Sequence, residues 1–245
     1  MSVLIVIPAR RKATRLPNKP MALIGGEPMI VQVWRRAMES GVGDVVVACD
    51  GEKIAQAIRA VGGVAVVTDP NHPSGSDRIW EAVQLIEVGA SAPYEIIINL
   101  QGDVPTLEPH LLRDLLAPLT NPAVDIATLA ALISRAEEHE NPSVVKVVMA
   151  LKNGEKSGKA LYFTRCAAPY GDGPRYHHIG VYAYRRAALE TFVSLPPSPL
   201  EMREKLEQLR ALEAGLRIDV VVVDTVPLGV DTSEDLARAN EIMRG

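Results

Sequence analysis

Four short runs rich in β-branched residues, Val3 to Ile7, Val45 to Cys49, Val64 to Thr68 and Ile96 to Leu100, are separated by segments of helical length. Strands repeatedly joined by such crossovers leave a simple solution, a parallel sheet wrapped by helices. Pro28 suits the first turn of a helix to about Ser40, with Gly41 as its stop, and the segments 52 to 61, 77 to 88 and 108 to 117 read as the next helices. Ser76, ahead of Asp77 and Arg78, makes a sensible helix cap. Later the pattern changes. Val144 to Leu151, Ala160 to Thr164 and Ile179 to Tyr184 follow one another without long helices between them, as antiparallel or mixed strands do. A helix is expected from Glu201 to Ala214 with Met202, Leu206 and Leu209 on one stripe, then a strand from Ile218 to Val223 and a last helix capped by Ser233.

The expected fold class is therefore α/β: a Rossmann-like mixed, mostly parallel sheet flanked by helices. No internal repeat or long linker divides the 245 residues, so 1–245 reads as a single domain near the upper size that one core organises. With 47% hydrophobic residues, the chain has enough apolar surface to offset the entropy of ordering. The net charge of −4 argues against general nucleic-acid binding, which needs a basic face. Any polyanion must be met locally.

No apolar stretch approaches the roughly 20 residues that span a bilayer, so membrane insertion is not expected. Residues Ser2 to Pro8 carry neither a basic leader nor a small-residue cleavage site, and Cys49 and Cys166 lie far apart without neighbouring metal ligands. A reduced, cytoplasmic location is expected.

A local site for a polyanion follows the first strand. Between Pro8 and Pro20 stand Arg10, Arg11, Lys12, Arg15 and Lys19, in a loop pinned by Pro17 and Pro20 at the carboxyl end of a strand. Open α/β sheets bind ligands there. Arginine forks, a lysine point charge and loop amides suit a nucleoside triphosphate. Two competing motifs fail: Gly154 to Ala160 is one residue short of phosphate-loop spacing, and Gly41-Val42-Gly43 follows a helix where a dinucleotide fingerprint must follow a strand.

The basic loop resembles the PARxxSTRLPGKP signature of the sugar-acid cytidylyltransferases, with Ala13 and Asn18 where serine and glycine are usual. The resemblance continues through His72 to Arg78, Asn99 to Asp103, Lys159 to Arg165, His178 to Tyr182, Pro197 to Glu201, Leu206 to Arg210 and Gly229 to Thr232, in the family's order. It departs at Val104, where glutamate often follows the aspartate, and between Arg165 and His178, where the chain is shorter than in many members.

The resemblance implies a fold of the nucleotide-diphospho-sugar transferase type. It also implies a nucleotidyltransferase that uses CTP and the sugar acid 3-deoxy-manno-octulosonate (Kdo) with Mg²⁺, as a homodimer serving lipopolysaccharide synthesis. A subregion at about 133–215 would carry dimerisation and sugar binding. Another sugar acid, such as a nonulosonate or an 8-amino derivative of Kdo, stays open, as does a catalytically silent nucleotide binder.

The implied roles fall on named residues. Arg10, Arg15 and Lys19 would bind the triphosphate, with Ala9 beside them, and Ser74 and Arg78 would face the cytosine. Asp103, at the carboxyl end of the Ile96 to Leu100 strand, and Asp231, after the last strand, would hold Mg²⁺ as hard oxygen ligands. Taken alone, Asp231 would pass for an acid at a helix N-terminus. Arg165 would take the sugar carboxylate, and Gln101, His178, Tyr182, Glu201 and Gln208 the hydroxyls.

Overall fold

The N-terminal run forms strand β1 (Val3–Ala9), and its side chains are almost wholly buried because helices cover both faces. The computed structural model describes residues 1–11, 16–152 and 154–244. They form two units, Met1–Arg113 with Pro227–Gly245, and Asp114–Val226.

In the first unit β1 lies between β4 (Asp44–Cys49) and β6 (Ile96–Asn99), with β5 (Val64–Val67) beyond β4, all parallel. The chain leaves β1 toward β4 and β5 and returns to β6 on the other side. The carboxyl ends of β1 and β6 therefore flank the switch point where such sheets open a crevice. A hairpin of β2 (Leu23–Ile24) and β3 (Glu27–Pro28) leads into α1 (Met29–Ser40), which ends at Gly41 in the left-handed region, φ 64°. α2 (Glu52–Ala60) and α3 (Gly75–Glu87) complete the crossovers expected from the spacing.

Three local expectations shift. Ser74, not Ser76, caps α3: its Oγ accepts from the amides of Ser76 and Asp77, while Ser76 is buried inside the first turn. The helix expected over 108 to 117 shrinks to α4 (His110–Asp114), since Pro118 has no amide hydrogen to donate four residues back. The last helix, α9 (Ser233–Ile242), is capped by Thr232 rather than Ser233, in a reciprocal box with Asp235. Leu236 and Ala239 of α9, with Met243 just after it, pack on Ile24, Met29 and Val230, which ties the C-terminal segment to the first unit.

The second unit carries β7 (Ile126–Leu132), β8 (Lys146–Ala150), β9 (Ser157–Thr164), β10 (Tyr176–Arg185) and β11 (Ile218–Val223), in the order β10-β7-β11-β9-β8. Only β11 and β7 are parallel; the β10–β7, β11–β9 and β8–β9 ladders are antiparallel, as the closely spaced strands require. α5 (Ala136–Glu140) and α6 (Arg186–Ser194) sit between strands.

The continuous helix expected from Glu201 to Ala214 is two pieces, α7 (Pro199–Glu204) and α8 (Leu209–Glu213). Lys205 breaks it in the left-handed conformation, φ 57°, donating its amide to the Glu201 carbonyl. The break buries Leu206 and Leu209 and leaves Met202 half exposed, so the leucines of the stripe are core.

Candidate functional site

A cavity of about 520 Å³ opens in the first unit at the carboxyl ends of β1 and β6. Ala9, Arg10, Lys19, Ser74, Arg78, Gln101, Asp103 and Asp231 all line it. Every nucleotide or metal residue expected there from the sequence is thus brought together, apart from Arg15, which lies outside the described residues.

Local geometry explains the convergence. Gly102 lets the loop after β6 pass the end of β1, since a Cβ there would stand 2.8 Å from the Pro8 carbonyl oxygen. Asn18 takes the left-handed conformation, φ 56°, that glycine usually fills and asparagine tolerates. It starts the single 3₁₀ turn Lys19–Met21 that aims Lys19 inward. The Val230 amide donates to the Asp103 carbonyl at 2.8 Å and the Leu228 amide to Thr106 Oγ1 at 2.8 Å, which moors the Asp231 segment beside Asp103.

Lys19 Nζ donates to Asp103 Oδ2 at 2.6 Å and to Asp231 Oδ1 at 2.9 Å. Burial alone pulls the ammonium pKa down, but the two carboxylates outweigh it and hold it above its ordinary value. Two hard oxygen donors that converge on one point suit Mg²⁺, which takes one or two carboxylates and completes its shell with phosphate oxygens and water. Among the described residues no group of three or more His, Cys, Asp or Glu offers a fuller protein cage.

The other walls favour an anion. α3 presents its N-terminus at Ser74 and Gly75, where helix amides and dipole favour phosphate. The Ser74 hydroxyl is spent on its own helix, donating to Asp77 Oδ2 at 2.6 Å. Arg78 is buried and donates to Thr68 Oγ1. His72 also lines the cavity, paired with Glu81, whose carboxylate accepts the Asp69 amide as well. His72 is a lining residue that was not among those expected, and its place at the head of the His72 to Arg78 motif is the signal for it.

The residues expected to bind a sugar acid, apart from Gln101, belong to the second unit. His178 is buried, with Nε2 3.0 Å from Thr128 Oγ1. The single Thr128 hydroxyl proton goes to the carbonyls of the β10 bulge, Ile179 at 3.2 Å and Val181 at 2.9 Å, so His178 Nε2 is the donor and Nδ1 an acceptor. Burial, with His177 beside it, pushes His178 down to about 3, so the ring is neutral. Phe163, His178, Tyr182 and Tyr184 form a chain of ring contacts, with centroids 4.8, 5.5 and 5.9 Å apart in turn. Burial and then the Glu207 carboxylate push the Tyr182 phenol far up.

Arg165 donates Nε to the Glu204 carbonyl at 2.8 Å, Nη1 to Pro142 at 2.9 Å and Nη2 to Lys205 at 3.3 Å, which leaves one N–H on each terminal nitrogen beyond these bonds. Gln208 is buried. Both Glu201 oxygens are engaged, by Arg210 and by the Ser198 amide. Glu204 and Glu207 are additions to the sequence reading. Glu204 accepts Thr164 Oγ1 at 2.8 Å and the Arg165 amide at 3.0 Å, holding the end of β9.

Comparison with known proteins bears on this arrangement. The family model for cytidylyltransferases matches residues 4–218. A 3-deoxy-manno-octulosonate cytidylyltransferase from Paramagnetospirillum magneticum is 57% identical over 244 residues, covering 100% of this chain and 98% of the relative. One of the same name from Bradyrhizobium sp. is 62% identical, covering 98% of this chain and 97% of its own. A solved structure of CMP:2-keto-3-deoxy-manno-octonic acid synthetase complexed with CTP is 41% identical, superposes with a TM-score of 0.90 and covers 100% of this chain and 99% of its own.

Proposed function

The chain belongs to the cytidylyltransferase family, and from that premise we propose that it transfers CMP from CTP to Kdo, releasing pyrophosphate and activating Kdo for lipopolysaccharide synthesis. The observation that carries this reading is the end-to-end likeness to chains bearing the name of that reaction.

The reaction is an in-line displacement: the anomeric hydroxyl of Kdo forms a bond to the α-phosphorus, the bond to pyrophosphate breaks, and the hydroxyl proton is released. Catalysis is then mostly positioning and neutralisation of charge. Arg10 and Lys19 line the cavity and, with Arg15, are assigned to the triphosphate and the departing pyrophosphate. Ala9, Ser74 and Arg78, which line the same cavity, are assigned to the nucleotide. Asp103 and Asp231 are assigned to Mg²⁺, and the ion, when bound, supplies neutralisation of the triphosphate oxygens.

Gln101, Arg165, His178, Tyr182 and Gln208 are assigned to the sugar acid. The neutral His178 and the protonated Tyr182 support this, since an imidazole and a phenol can exchange hydrogen bonds with sugar hydroxyls. Glu201 is assigned to the same set, with both of its oxygens also held by Arg210. The proposed assembly is a homodimer formed through the region of about 133–215, supported by exposed Leu161, Tyr170 and Met202. The proposed location is the cytoplasm, in keeping with two unpaired cysteines.

Pyrophosphate release from CTP, Kdo and Mg²⁺ tests the reading. Product formation that depends on all three is expected. Release with a nonulosonate and not with Kdo would reassign the acceptor, and none with any sugar acid would reject catalysis.

A further inference from the structure

Two assignments compete for one place. Lys19 is given to the triphosphate and the aspartate pair to a divalent cation, yet Lys19 Nζ stands between Asp103 Oδ2 and Asp231 Oδ1, where that cation would bind. We propose that Lys19 is a built-in counter-ion that holds the Asp103–Asp231 pair until nucleotide arrives, so that the divalent cation enters with the triphosphate and not before it. This rests on the functional reading above and adds an order of binding to it.

Charge and geometry support the exchange. The Lys19 ammonium cancels part of the charge of the two carboxylates and makes them a weaker lure for a free ion that must shed water to bind. An ammonium bonded to both carboxylates and a cation bonded to the same oxygens would repel each other at contact distance. A triphosphate changes the balance, because its oxygens give the lysine a new anionic partner and bring the cation their own ligands.

Only the side chain needs to move. The Lys19 main chain is fixed by Met21 N to Asn18 O at 2.9 Å and Ala22 N to Lys19 O at 3.1 Å, while its four-carbon stem is flexible. Arg10 and the N-terminus of α3 share the cavity, so an ammonium leaving the aspartates finds the phosphates on the same wall system.

The test uses Mn²⁺ in place of Mg²⁺ and reads bound ion on the nucleotide-free full chain by electron paramagnetic resonance. Lys19→Met keeps the side-chain length and removes the charge. The expected result is Mn²⁺ binding at least ten-fold tighter in Lys19→Met than in wild type, with the gain lost in Lys19→Met/Asp103→Asn. Equal affinity in wild type and Lys19→Met overturns the proposal. Should Lys19→Met fail to fold, the wild type decides. Inorganic tripolyphosphate must then raise Mn²⁺ held on the protein at least ten-fold, whereas tight Mn²⁺ binding without it, or no rise with it, overturns the proposal. Pyrophosphate release by wild type is measured alongside. A protein that turns over while Lys19→Met gains no Mn²⁺ affinity loses the binding order and keeps the catalytic reading.

Discussion

Arg210 grips Glu201 with two prongs, Nη2 at 2.6 Å from Oε1 and Nε at 2.8 Å from Oε2, while its Nη1 donates to the Leu195 carbonyl at 3.2 Å. Burial pushes the Glu201 carboxyl up, but Arg210 and the Ser198 amide outweigh it and hold it below the usual range. The same guanidinium lies 5.1 Å from the Phe192 ring centroid, so the pair braces α7 against the aromatic chain. Glu201→Ala should therefore destabilise the fold by about 2 to 4 kcal/mol, since it removes the two-pronged carboxylate partner of a mostly buried arginine. Urea denaturation measures this. Unchanged stability with a raised KM for Kdo would instead place Glu201 on the sugar.

His178 makes stability depend on pH in a definite direction. Its value is 6.5 when unfolded and about 3 when folded, so between those values only the unfolded chain takes the proton. The contribution is complete above about pH 6.5 and is lost as pH falls toward 3, at up to about 1.4 kcal/mol per pH unit. From pH 7 to pH 5 this one group costs about 2 kcal/mol. His178→Gln, which cannot take the proton, should flatten the slope by that amount. A variant whose stability falls with pH as steeply as wild type would remove His178 from the account.

The parallel half of the fold was legible because its strands are uninterrupted β-branched runs and its helices fill the intervals. Strand β7 was not. Ile126 to Leu132 reads Ile-Ala-Thr-Leu-Ala-Ala-Leu, a composition with good helix propensity, and it is extended because β10 and β11 pair with it on both sides. The break at Lys205 was hidden for a similar reason: a lysine in the left-handed region carries no local signal, and the turn is set by burying Leu206 and Leu209. At the site, Asp103 could be placed at a strand end from spacing alone. Its meeting with Asp231 depends on hydrogen bonds between segments more than a hundred residues apart, and only the family motif pointed to it.

Asp103→Asn keeps the shape of the side chain and removes one of the two charges aimed at Lys19 and at the cation. Turnover should fall by at least about 100-fold, the scale of losing one electrostatic contact to a developing charge. The thermal midpoint should move little, since Lys19 keeps Asp231 as its partner at 2.9 Å. Steady-state rates at saturating Mg²⁺, with a melting curve, decide it. Wild-type turnover would withdraw Asp103 from the cation site.

Arg165 divides its guanidinium between the protein and a proposed ligand. Three of its donors hold the carbonyls of Pro142, Glu204 and Lys205, and the two remaining N–H groups are those offered to the Kdo carboxylate. Lysine keeps the charge but loses the fork, so Arg165→Lys should raise the KM for Kdo by roughly 5- to 150-fold, about 1 to 3 kcal/mol. Some stability should be lost too, because one ammonium cannot reach all three carbonyls. Arg15→Lys, on the triphosphate loop, should instead harm the use of CTP or kcat. Kdo is varied at saturating CTP and then the reverse, for each variant, with a denaturation curve for each. If Arg165→Lys loses stability while the KM for Kdo stays at the wild-type value, Arg165 is only a brace for the chain around Lys205. If it raises the KM for CTP alone, the two arginines exchange substrates.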